Sequence, residues 1–436
     1  MPDRAPEGSP GATTLGGKAR TFLSGGGQIA VAMMVMNFAT YGFTMSAARV
    51  IGPASYGAFF ALMNLVMIVS VVQLGLQATA ARRISADPAH VGQIERGILR
   101  VSIRASLLLS GLLLVAAPLV DRLLDLDSLS TAALAAVVAF PMTMMGAQAG
   151  ILQGERRWRE LGILYVLAGV PRLVVGLALI LWQPTEFMAF LGVTIGFFAP
   201  YLYGTLVLRN ERATGETHER HGFLPIIKEA LINSQALFAY FALTNTDMLV
   251  GRTVLDSHDS GLYAAGLIVA RAVMFLPQFV VVVAFPSMAT EHGRGKALAQ
   301  SVGAVTALGV VCTAATAALP QLALIFAGGG EYDEVADLLW LFALLGTTMA
   351  VLQLLVYSVL ARQGTLSIAL VWVALVVMVG IASSMVSTVA GLLTVVLTVE
   401  VVLLAVLLAI SVVMLRRAPS ARAAVEAQPP SGPPAQ

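Results

Sequence analysis

Four ionisable side chains stand inside stretches that are otherwise apolar: Arg172, Arg271, Asp247 and Glu400. Arg172 falls about eleven residues into one apolar run and Arg271 about ten into another, which puts each near the middle of a bilayer. A centrally placed Arg costs at least about 2.5–3.5 kcal/mol to insert, so it must face a partner or a water-filled space. Two guanidiniums with forked donors suit a pyrophosphate. The opposing reading pairs them with Asp247 or Glu400 as structural ion pairs. Gln278 lies seven residues after Arg271, on the same helical face, whereas Arg172 has only Pro171 beside it, and both readings stay open. Asp247 lies in the outer third of its run, where outside water could reach it, and Glu400 near the midplane. Either acid could hold a coupling ion, and Glu400 also fits a neutral, hydrogen-bonded acid.

Neutral polar residues form a second pattern. The run 229–251 carries Asn233, Tyr240, Thr244 and Asp247 at spacings of 7, 4 and 3, one face of a helix. At an offset of 203, Tyr240, Thr244 and Asp247 fall on Asn37, Tyr41 and Thr44. Pointed into a shared cavity with Asn64, Gln73 and Gln148, these stripes would offer the donors and acceptors that sugar hydroxyls need. Hydrogen bonding between helices is the competing reading for any one of them.

Other chemistries lack their residues. His90, His218, His221, His258 and His292 all fall in loops without metal-ligand or nucleophile spacing, and Cys312 is the single cysteine. No Gly-rich phosphate loop occurs, so we expect no metal, no cofactor, no ATP hydrolysis and no catalysis.

The elements that must carry these residues follow from composition. Of 436 residues, 58% are hydrophobic and 11% charged, too few charges to cover a water-facing surface. Mean hydropathy is +0.85. Apolar runs near 28–48, 57–80, 105–120, 131–152, 161–182, 187–208, 229–251, 261–288, 298–326, 336–360, 366–387 and 391–415 predict twelve transmembrane helices, an all-α polytopic membrane protein. Residues 88–104 alternate charged and apolar residues at helical spacing, as an interfacial helix would. The expected organisation is a disordered cytoplasmic tail (1–20), a six-helix bundle (21–210), a cytoplasmic linker (211–228), a second bundle (229–415) and a disordered tail (416–436).

Orientation comes from the basic residues. With both termini inside, 21 of the 26 Lys and Arg fall on the cytoplasmic side, while the outer loops carry acids such as Asp125, Asp256, Glu331 and Asp333. The net charge of +2, spread through many loops, excludes nucleic-acid binding. Short outer loops leave no room for an extracytoplasmic catalytic domain.

The two halves repeat. Spans 1 and 2 join through ARVIGPASYGAFFA and spans 7 and 8 through GRTVLDSHDSGLYAAG, with Arg49 over Arg252 and Gly57 over Gly261; LQG at 152–154 answers ARQG at 361–364. Six spans per half with the same starting side make a parallel repeat around a central cavity. Gly52, Pro53, Gly57, Gly261, Pro171, Pro277 and Pro286 mark helix ends and kinks.

At these residues the chain resembles the polysaccharide transporters, or Wzx-like oligosaccharide flippases, of the multidrug/oligosaccharidyl-lipid/polysaccharide exporter superfamily. The resemblance rests on ARVIGPASYGAFFALMNLVMIVSVVQLGLQATAARRIS, on LQGERRWRELGILYVLAGVPRLVVG, and on the second-half positions Asp247, Gly261, Tyr263 and Pro286. It covers about residues 25–415 and implies a MATE-like architecture and no enzymatic activity. It further implies an inner-membrane flippase that carries a polyprenyl-pyrophosphate-linked oligosaccharide to the outer leaflet for cell-surface polysaccharide biosynthesis. H+ or Na+ would drive it, alongside polysaccharide polymerase and assembly proteins. A multidrug/cation antiporter and a flippase of lipid II-type peptidoglycan precursors share the architecture; the latter typically has two further spans, and the former would want an acidic cavity. The resulting site is Arg271, Arg172, Gln278, Asn37, Thr44, Tyr240 and Thr244 around the cargo, with Asp247 and Glu400 for the ion.

Overall fold

An apolar run in lipid must satisfy its backbone hydrogen bonds internally, and a helix does so. The computed structural model describes residues 26–126, 128–209, 223–288, 294–360 and 365–426, and among them the chain is helical with no strand. The first half contains α1 (Gly26–Val69), α2 (Val71–Ala86), α3 (Val91–Leu124), α4 (Leu129–Gly154), α5 (Trp158–Trp182) and α6 (Glu186–Val207). The second contains α7 (Phe223–Val254), α8 (Ser257–Met288), α9 (Arg294–Ala318), the short α10 (Pro320–Ala327), α11 (Leu339–Leu360), α12 (Thr365–Met385) and α13 (Val389–Glu426). A helix lies over each of the twelve predicted runs, and nine helical stretches among the described residues are long and apolar enough to cross a membrane.

The first stretch shows how the chain turns. Gln28–Ala86 is 59 residues of helix, roughly 88 Å if straight, against about 30 Å of bilayer core. It breaks at Gly52, where φ is 75° and ψ 166°, a conformation open in practice only to glycine, and Pro53 follows. The predicted connection at 48–61 is therefore a break at one residue between two helices. At other starts the caps are ordinary: the Ser128 and Thr185 side chains accept from the Thr131 and Met188 N–H groups and begin α4 and α6.

Residues 91–104, expected as an interfacial helix leading into the third span, do run into it as the start of α3, with Ile94, Ile98 and Val101 buried beside Leu76, Ala80 and Ile84 of α2. Two sequence expectations change. The last helix continues to Glu426 instead of ending near 415. α7 begins at Phe223, inside the expected linker; the remainder of that linker and the tail 1–20 lie outside the described residues.

Packing repeats as the sequence does. In the first half α1 packs on α5, α3 on α4, α5 on α6, and α4 on α2 and α6. The second half repeats these pairs as α7 on α12, α9 on α11, α12 on α13, and α11 on α8 and α13. The halves meet where α1 packs on α7 and α8, and α2 and α3 on α7. The largest buried cluster crosses this seam, joining Phe43, Tyr56, Phe59 and Phe60 to Tyr263, Tyr332 and Phe342. Asp125, Asp256, Glu331 and Asp333 belong to one end of the bundle and Arg82, Arg83, Arg156 and Arg157 to the other, called here the acidic and basic ends.

Candidate functional site at the seam between the halves

Arg271 lies on α8, whose face toward α1 must bring a cation into an apolar seam. The structure meets that cost with neutral acceptors. Nη2 donates to Oδ1 of Asn64, from the second part of α1, and to Oδ1 of Asn245 on α7 at 2.9 Å. The guanidinium stacks over the Phe60 ring, 4.7 Å from its centroid. Both asparagines are held for this: Asn64 Nδ2 donates to Phe60 O at 2.6 Å and Asn245 Nδ2 to Phe241 O at 2.7 Å. Arg271 makes no ion pair among the described residues, and Nε and Nη1 carry no hydrogen bond there. The half-buried side chain thus keeps a full positive charge and free donors.

Neither acid contacts it directly among the described residues, though the Asp247 carboxylate is near enough to act on the guanidinium through charge. Asp247 is fully buried, and its Oδ2 accepts from Tyr263 OH at 2.9 Å. Glu400 is fully buried, and neither carboxyl oxygen has a hydrogen-bond partner among the described residues. Two expectations fail here. Asp247 is shut off from outside water because α8 packs its Tyr263 against it, and Glu400 is not hydrogen-bonded by any described residue.

Arg172 forms a separate site. It is 5% exposed, donates through Nη2 to Thr40 Oγ1 of α1, and lies 5.6 Å from the centroid of Phe197 on α6. Its Nε has no partner. The two arginines share no partner, so the sequence reading of a joint pair of forks resolves into two sites.

The polar stripes turn mostly inward. Tyr240 OH donates to Met349 O at 3.3 Å, Thr244 Oγ1 to Tyr240 O at 3.0 Å, and Thr44 Oγ1 to Thr40 O at 3.0 Å. Tyr41 OH donates to Ile268 O and ties α1 to α8. The two threonines thus bond back to their own helices and the two tyrosines tie helices together, whereas half-buried Asn37 has no hydrogen-bond partner among the described residues. The side chains of Gln278 and Asn233 lie outside the described residues. Sequence reasoning missed Thr40 and Asn245. The signal for Asn245 was its place in the polar run TNTD (244–247), one residue off the chosen face.

Around the site the acidic end is closed. A Cβ on Gly57 would come 2.8 Å from Ser260 Oγ, and one on Gly261 would come 2.8 Å from Pro53 Cα. Arg252, whose side chain is 4% exposed, donates to the backbone oxygens of Leu124 at 2.6 Å and Asp125 at 2.7 Å. Tyr332 OH donates to Ala48 O at 2.7 Å, and Arg49 donates to Ile325 O. Toward the basic end on α1, Phe38, three residues before Tyr41, is 66% exposed.

Residues 22–292 match a family described as polysaccharide biosynthesis protein. No curated protein matches the chain significantly. Among solved structures, an inward-facing multidrug resistance MATE family transporter of the MOP superfamily is similar at a TM-score of 0.70 and 15% identity, over 88% of this chain and 95% of that one. The outward-facing conformation of a transporter so described matches at 0.54 and 16% identity, over 89% and 95%. A eukaryotic MATE transporter matches at 0.52 and 15% identity, over 90% and 95%.

Proposed function

Because the chain belongs to the polysaccharide biosynthesis protein family, in the MOP superfamily of multi-pass membrane transporters, we propose that it flips a polyprenyl-pyrophosphate-linked oligosaccharide across the inner membrane. Family and fold are those of transporters rather than enzymes. The observation that carries the reading is Arg271: a cation at the seam, held by two neutral amides and one ring, with donors left over. Among the described residues no carboxylate comes within ion-pair distance of the guanidinium, and although the Asp247 carboxylate is near enough to act on it through charge, the direct partners are neutral and leave donors for an anion. The pyrophosphate docks on Arg271 while the polyprenyl chain stays in lipid, and the head group passes between the halves. The closed acidic end and the higher TM-score with the inward-facing relative support a state open at the basic end. That end is the cytoplasmic one by the distribution of Lys and Arg. H+ or Na+ at Asp247 and Glu400 couples the cycle, since both are buried carboxyls, Asp247 with one oxygen and Glu400 with both oxygens lacking a hydrogen-bond partner among the described residues.

The solved relatives are described as multidrug transporters, which raises a cationic drug as the rival cargo. Arg271 and Arg172 would repel it. The deciding experiment measures membrane abundance and glycan export together. Arg271→Ala should keep abundance and lower export at least tenfold, and Arg271→Lys should recover only part, because an ammonium loses the fork. Loss of abundance, rescued by also replacing Asp247 or Glu400, would instead make Arg271 structural. Orientation is tested by reporters, expected to read cytoplasmic after Thr217 and external after Ser257.

A further inference from the structure

We propose that Gln77, Gln153 and Tyr165 form a subsite for the sugar portion of the cargo in the first half, near its basic end; this rests on the flippase reading above. Gln77 on α2 donates through Nε2 to Gln153 Oε1 on α4 at 3.2 Å and to Tyr165 OH on α5 at 2.9 Å. One amide therefore links three helices. The link is not needed to hold α2 on α4, because glycines already do so: a Cβ on Gly150 would come 2.8 Å from Gln77 Cα, and one on Gly154 2.8 Å from Ile84 Cβ. With no side chain at these positions, the two backbones pack directly and hold the amides in a fixed register.

What remains unbonded is a recognition surface. Among the described residues, Gln77 Oε1, both Gln153 N–H groups and the Tyr165 hydroxyl proton have no partner, and none of these atoms is a buried orphan. Gln153 is exposed, and Gln77 and Tyr165 are partly so. One free acceptor, two free donors and a phenol that can both give and take match vicinal sugar hydroxyls, which are donor and acceptor at once. The Tyr165 ring adds an apolar face for the C–H side of a pyranose. Charge is absent from the triad, so it selects a neutral polyol and not the phosphate. Tyr165 lies seven residues before Arg172 on the same face of α5, two turns or about 10 Å along the axis. The subsite therefore stands about two turns from Arg172, and it is built by α2, α4 and α5 of the first half, whereas Arg271 contacts Asn64, Asn245 and Phe60.

Native mass spectrometry of the purified full chain, with two probes, tests this. One probe is undecaprenyl pyrophosphate, and the other is the lipid-linked oligosaccharide extracted from the cells that make the protein. Wild type should hold the glycan-bearing lipid at least tenfold more tightly than the bare one. Gln77→Leu, Gln153→Leu and the smaller change Tyr165→Phe should each erode that margin while binding of undecaprenyl pyrophosphate stays within twofold. Unchanged binding of the bare lipid serves as the folding control. A margin that persists in all three variants, an equal loss for both probes, or no margin in wild type overturns the subsite. Arg271→Ala separates the two proposals: it should weaken both probes alike, and if it weakens neither, the flippase reading fails on its own account.

Discussion

The seam between the halves is held differently at its two ends. At the acidic end the contacts include backbone on backbone at Gly57 and Gly261 and side chain on backbone carbonyl at Arg252, Tyr332 and Arg49, with the exposed Asp125 carboxylate adding a 3.7 Å ion pair to Arg252 and accepting from Ser257 Oγ at 3.1 Å. Among the described residues at the basic end, the start of α7 makes contact with the first half. Glu229 pairs with Arg83 at 2.9 Å and with Arg82, whose side chain is 64% exposed, beside Ile226 buried among Leu76, Ile84, Ile94 and Ile98. A buried donor on a carbonyl has nothing to replace it until water enters; an exposed ion pair exchanges readily with water and salt. The acidic end is thus built as a closed state with a definite threshold for opening, and the basic end as a tether that tolerates opening.

Breaking the acidic end should have the largest effect. Arg252→Ala strands the buried Leu124 carbonyl and removes a charge-assisted bond to Asp125, a cost of about 2–5 kcal/mol to the closed state. Spin labels at Ser130 and Asp256, both exposed, should then report a longer distance population by pulsed EPR; an unchanged distribution would show that Arg252 does not latch the end. Gly261→Val comes next. Its side chain would meet the Pro53 backbone, which cannot yield, so export should drop about tenfold or more through failure to close, with the protein still inserted. Normal export would mean that this approach is incidental. The smallest effect belongs to the basic end: Glu229→Gln should change transport less than about threefold, since partly exposed pairs contribute about 0–1 kcal/mol, and should reduce its salt dependence. An effect larger than that of Arg252→Ala would reverse the comparison.

Much of the architecture was legible because lipid imposes it. Length and hydropathy give the helices, and the parity of Lys and Arg gives their alternation; the Arg49/Arg252 and Gly57/Gly261 matches give the repeat that the packing pairs reproduce. The site was legible only in part. Arg271 and Arg172 stand out because an arginine in an apolar run is costly wherever it points. Tyr240 and Thr244 gave the same helical signal as a cavity lining, yet they bond to backbone oxygens within the second half. A hydroxyl that binds a helix and one that binds a sugar have the same sequence pattern, since periodicity reports a face and not what lies opposite.

The sequence by itself determined that this is a twofold-repeated set of membrane helices carrying two central arginines, because burial cost and periodicity are properties of a single segment. Only the tertiary structure decided that Arg271 meets Asn64, Asn245 and Phe60 instead of an acid, that Asp247 is sealed behind Tyr263, and that Gln77, Gln153 and Tyr165 converge. Those partners lie far apart along the chain, 207 residues in the case of Arg271 and Asn64. Which side chain answers a buried charge is set by how helices cross, and the crossing is fixed by the packing of all the helices together.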